Sequence, residues 1–77
     1  MTLAEVKALA VGDVICYYGA FNSDGTCQRW RVDGAVQTWV TRPDHVKVPI
    51  KHGMYSYSYL TQSNMHLFHK YGTCPKC

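Results

Sequence analysis

Near the C-terminal end, His66, His69, Cys74 and Cys77 form the pattern H-x2-H-x4-C-x2-C. Imidazole nitrogen and thiolate sulfur are the ligands of tetrahedral structural zinc, and Cys-x2-Cys is a common ligand pair. On a helix, histidines three residues apart would share a face. The span between the two pairs is very short for such a site, and a chain end frays. The competing reading is two solvent-facing histidines and a loose or disulfide-capable tail. A zinc site built from Cys16, Cys27, Cys74 and Cys77 is conceivable if the tail folds back. The expectation is a protein without a cofactor, in which Cys16 and Cys27, facing each other across strands, act as small buried hydrophobes.

The second chemistry is polyanion binding. Positions 28 to 51 hold Arg29, Arg31, Arg42, Lys47 and Lys51 against only Asp33 and Asp44, within a chain of net charge +3. A basic face of this kind can track a phosphate backbone. Tyr55, Tyr57 and Tyr59 would lie beside it as stacking surfaces for unpaired bases, and Trp30 and Trp39 are anchor-type side chains. The bland alternative is a solubilising surface over tyrosines that fill the core.

Catalysis finds no support. Cys27, His45, His52 and His66 are the right types for a nucleophile and base, but no local signature joins them. Asp13, Asp24, Asp33 and Asp44 fall at turns, where aspartate hydrogen-bonds nearby amides. The glycines are scattered, without a phosphate-binding motif. The expectation is therefore a protein that is not an enzyme.

The elements that would position these residues are mostly strands. Arg29 to Val40 reads as a β-hairpin whose Asp33-Gly34 forms a type I′ turn, pairing positions 27–32 with 35–40. That register puts Trp30, Val32, Ala35, Gln37 and Trp39 on one face and Arg29, Arg31, Val36, Thr38 and Val40 on the other. Before it, Thr2 to Glu5 has capping-box spacing for a short helix to Leu9. Val14 to Tyr18 is a first strand, and residues 19 to 25 form a polar loop. After it, Arg42-Pro43-Asp44 turns the chain into a strand over 45–51, where Pro49 demands an edge or a bulge. Tyr55 to Tyr59 forms a fifth strand. Thr61 then caps a helix over 62–70 that turns Met65, Leu67 and Phe68 inward and stops at Gly72.

These 77 residues make a single domain, 1–77, mainly β: a small SH3-like antiparallel barrel of about five strands with short terminal helices. No n-region with an apolar run and no span of about 20 apolar residues is present, so a cytoplasmic protein with reduced thiols and no membrane contact is expected.

Half of the chain also resembles a group of small proteins of tailed bacteriophages. The resemblance rests on Arg29-Trp30-Arg31, Asp33-Gly34, Thr38-Trp39, Arg42-Pro43, Val48-Pro49, Lys51-His52-Gly53, Tyr55, Tyr57, Tyr59 and Thr61. The group tends to have Asn where Asp33 stands and a basic residue where Gln37 stands, which lowers the hairpin's positive charge here. The resemblance implies a phage origin, hence the cytoplasm of an infected bacterial host, and implies no activity. Three roles remain in view: a nucleic-acid-binding accessory module; a counter-defence or host-takeover protein that inhibits a host enzyme by docking; and a protein that sequesters a nucleotide signal.

Overall fold

A computed structural model describes residues 1–72, side chains at positions 19 and 20 excepted; the tail with Cys74 and Cys77 lies outside them. The chain forms one short helix, α1 (Leu3–Lys7), and six strand segments: β1 (Val14–Phe21), β2 (Cys27–Val32), β3 (Gln37–Trp39), β4 (Arg42–His52), β5 (Ser56–Thr61) and β6 (Phe68–Lys70). They make a single curled antiparallel sheet, a half-barrel ordered β3-β4-β2-β1-β6 with β5 on the other side of β4. The mainly β, barrel-like class expected from the sequence is the one observed. No helix among the described residues is long and apolar enough to cross a membrane.

The capping box forms as the sequence predicts: Thr2 N–H donates to Glu5 Oε1 at 2.9 Å, and Glu5 N–H to Thr2 Oγ1 at 3.2 Å. The helix is shorter than expected, ending at Lys7 with Ala8 as its cap. Its buried face is Val6, which joins Ile15, Val32, Val46, Val48, Ile50, Leu60 and Phe68 in the core. Full burial of such a side chain stabilises by about 1.5–3 kcal/mol.

The Asp33-Gly34 turn does not exist. The chain bends at Gly34 but does not reverse there, passing on from β2 into β3, and the reversal comes at Val40-Thr41, with Trp39 opposite Arg42. Neither turn residue has a positive φ, so no Asn-Gly signal marks the site. Both β2 and β3 pair with β4: Val32 opposite Ile50, then Gln37 opposite Lys47. The break between them sits against Pro49. Asp33 N–H donates to Pro49 O at 2.8 Å, so that side of Pro49 faces the break, where its missing N–H leaves no ladder bond to continue. The bulge-like irregularity that Pro49 demanded is therefore present, on the neighbouring strand.

Gly34 serves a different purpose from the one expected. Its φ is not positive, but a Cβ there would lie 2.9 Å from Pro49 Cγ. Close approach rather than turn geometry requires a glycine. Because the chain does not reverse at Gly34, strand alternation also carries through the break. Trp30, Val32, Val36 and Thr38 share the inner face, while Arg29, Arg31 and Gln37 share the outer one. Gln37 thus parts from Trp30 and Val32, and Val36 joins them, against the predicted face assignment.

Three smaller corrections follow. Arg42, Pro43 and Asp44 belong to β4 rather than to a turn. The helix predicted over 62–70 is a 3-10 turn, Met65–Leu67, leading into β6. It is held in place by tertiary bonds, since the Met1 amino group donates to the carbonyls of Met65 at 2.9 Å and Phe68 at 2.7 Å. Finally, Cys16 and Cys27 are both wholly buried but are not opposed: Cys16 faces Arg29 across the strands, and Cys27 faces Phe21. Cys16 is disulfide-bonded, against the expectation of reduced thiols.

Candidate polyanion-binding face

Two strands, β2 and β4, bring the basic residues to one surface. Arg31 lies opposite Lys51 across β2 and β4, and Arg29 is one alternation further along the outer face of β2. Beneath them, Val46, Val48 and Ile50 anchor β4 in the core. The three cations line a cleft of about 460 Å³ together with Val14, Trp30, Gly53 and Tyr71. Gly53, at φ +67, starts the turn out of β4 beside it.

Local contacts hold each cation in a different way. The Arg29 guanidinium lies 5.0 Å from the centre of the Tyr71 ring, an arrangement that keeps its charge while fixing its direction. Lys51 reaches Asp33 at 3.6 Å. Both partners are well exposed, so this pair contributes little to stability, and Lys51 remains available to another anion. Arg31 makes no salt bridge among the described residues. The carbonyl of Arg29 meets His52 Nδ1 at 2.9 Å, which ties the end of β4 to β2 at the cleft.

The same face continues across β5. Tyr57 stands opposite Lys51, Tyr59 opposite Pro49, and Lys47 Nζ sits 4.2 Å from the centre of the Tyr59 ring. Tyr57 is 66% exposed and Tyr59 48%. They therefore do not fill the core, as the bland reading had it; Leu60 does. Tyr55 lies in the turn before β5 and is exposed.

Not every predicted site residue joins this face. Trp39 and Arg42 flank the Val40-Thr41 turn, at the tip of an arm whose β3 residues are all exposed. Trp30 points inward, its ring 5.3 Å from that of His52, and its Nε1 is buried without a hydrogen-bond partner among the described residues. It also borders a second cleft, of about 240 Å³, with Tyr17, Ser58, Asn64, Leu67 and Phe68.

The shared helical face expected for His66 and His69 does not form. His66 lies in the 3-10 turn and is exposed, whereas His69 lies in β6, buried opposite Cys16 and 4.2 Å from the Tyr18 ring. The two histidines share no helical face, because no helix forms there. No group of three or more His, Cys, Asp or Glu side chains among the described residues is placed to hold a metal ion. Cys74 and Cys77 lie outside those residues. Burial pushes the pKa of His69 below its ordinary value, with the positive N-terminal amino group adding to the effect.

Sequence reasoning missed Tyr71 and Gly53. Tyr71 was hidden behind the predicted helix, whose stop at Gly72 left it no role. Gly53 is one of several scattered glycines that carry no motif. Comparison with known proteins finds no matching family model, no similar curated protein and no matching solved structure.

Proposed function

We propose that this protein is a non-enzymatic, phage-encoded module that binds single-stranded nucleic acid on the outer face of its sheet. The observation that carries the reading is the convergence of Arg29, Arg31 and Lys51 on one cleft, with Asp33 the carboxylate beside them. Phosphates would lie along these cations, and the exposed rings of Tyr57 and Tyr59 would take bases, whose π-faces stack without regard to sequence. The phage assignment rests on the sequence resemblance described above.

A labelled oligo-dT or oligo-U titrated over a salt series tests the reading. Affinity should fall steeply with salt, and Arg31→Ala should flatten the dependence by roughly one phosphate's worth. Arg42→Ala, at the arm tip, should leave the slope nearly unchanged. Absence of binding even at low salt would sink the proposal. A second reading, docking against a host protein as a counter-defence or takeover factor, draws on the same arm, where Trp39 is 43% exposed and Val40 fully so. Such docking should respond little to salt. The cleft volume also falls in the range of small-molecule sites, so a free nucleotide belongs in the same titration as a competitor.

A further inference from the structure

Among the described residues the sheet is a half-barrel rather than a closed barrel, so its outermost strands present edges. Two of them, β3 and β6, have only three residues each, and β6 carries Lys70. Short length and a charged side chain both discourage pairing with another chain. The edge of β5 has neither protection. Its six residues, Ser-Tyr-Ser-Tyr-Leu-Thr, include no charge and no proline, and its pairing with β4 is regular from Ser56 to Thr61.

The directions of the backbone groups on β5 follow from bonds around it. Thr61 N–H donates to Asn64 Oδ1 at 2.8 Å, and the Asn64 amide donates to Tyr59 O at 2.9 Å. Odd-numbered residues of β5 therefore direct their main-chain groups away from β4. At the Thr61 end Asn64 covers that edge. At Tyr57 nothing among the described residues does.

We propose that this edge pairs with the β5 edge of a second copy of the chain, antiparallel about a two-fold axis at Tyr57. On such an axis the Tyr57 N–H and C=O satisfy the same groups of the other copy reciprocally. A second copy suits the edge better than a charged foreign strand because every residue brought opposite another is uncharged: Tyr57 meets Tyr57, Ser56 meets Ser58, and Tyr55 meets Tyr59. The nearest cations, Lys47 and Lys51, stand on β4, one strand back from the edge, so the lysines of the two copies lie about three strand spacings apart, roughly 14 Å and beyond the screening length at physiological salt. Pairing would make the basic and tyrosine-bearing faces of two copies continuous. It does not depend on those faces binding nucleic acid.

Light scattering on the purified full chain, across a concentration series and without nucleic acid, tests this. The mass should approach twice the 8.7 kDa chain mass at high concentration. Exchange of the Tyr57 amide should slow in parallel, while dilution speeds it. Tyr57→Lys places like charges opposite each other at about 5.5 Å between Cα atoms and should weaken association at least tenfold. Tyr57→Phe, which leaves the backbone edge intact, should still dimerise. A wild type that stays monomeric, a Tyr57 amide indifferent to concentration, or a Tyr57→Lys chain that folds and dimerises normally would each overturn the proposal. The salt-dependent titration of Arg31→Ala reads a separate surface, so failure of one reading is distinguishable from failure of the other.

Discussion

β4 is one strand of eleven residues that behaves as two. From Val46 to His52 it is paired on both sides over much of its length, and Val46, Val48 and Ile50 lie at 1% exposure or less. From Arg42 to Asp44 its strand partner is β3, and the side chains are exposed. Both stretches carry cations and stand near a tryptophan, yet only the first arranges them into a cleft. The difference lies in what is underneath. Lys47 and Lys51 alternate with buried valines and isoleucine, so packing fixes their backbone and hence their spacing from Arg29 and Arg31. Arg42 has no such layer; Lys7 holds the strand there by one bond, Nζ to Pro43 O at 2.6 Å.

Substituting one residue from each stretch gives the largest expected contrast. Ile50→Ala removes a fully buried side chain and should destabilise the fold by about 2–5 kcal/mol. Val40→Ala, at the arm tip, should stay within about 0.5 kcal/mol of wild type. Urea unfolding of both variants measures this directly. Equal losses would mean that the arm packs against something and that the division of β4 is wrong.

The body of the molecule was far more legible than the arm, for a physical reason. The alternation of Val46, Val48 and Ile50 is a burial pattern, and burial is the term that decides strand faces. The capping box of α1 and the irregularity demanded by Pro49 are likewise local chemistry with one outcome. The turn was not legible, since Asp33-Gly34 is the strongest short-range hairpin signal while Val40-Thr41 carries none. Pairing with β4 through Val32, Gln37 and Thr38 overrode the local preference. That one displacement explains why Arg29 and Arg31 were correctly placed together while Gln37 was grouped with Trp30. The predicted C-terminal helix failed similarly: Met65, Leu67 and Phe68 have helix-compatible spacing, but pairing of β6 with β1 claims Phe68 opposite Tyr17.

The junction between β2 and β3 offers an intermediate effect. Gly34→Ala puts its Cβ against the stiff ring of Pro49, and overpacking of this kind destabilises by about 1–3 kcal/mol. If close approach is the cause, Pro49→Ala in the same chain should restore most of the loss, a coupling readable as a double-mutant cycle. A turn at Asp33-Gly34 would instead give additive losses. Such additivity would return the β2–β3 break to the hairpin that the sequence suggests.

The smallest effect concerns acid. His69 belongs to the packed body, buried at 8% exposure opposite Cys16, and its folded pKa lies below its ordinary value because burial disfavours the charged ring. The unfolded chain therefore takes up this proton first as pH falls below about 6.5, so stability is fully present above that value and declines as pH drops towards the folded pKa. Glu5 is also shifted down, by its hydrogen bonds to the Thr2 backbone and hydroxyl, but from an ordinary value of 4.5, so its contribution is lost only in a more acidic window. Urea midpoints collected below about pH 6.5 but above the Glu5 window should fall with decreasing pH in wild type and lie flatter in His69→Gln, which cannot titrate. If the two chains lose stability in parallel there, His69 is as open to water as the arm, and the contrast between the two halves of the molecule does not extend to β6.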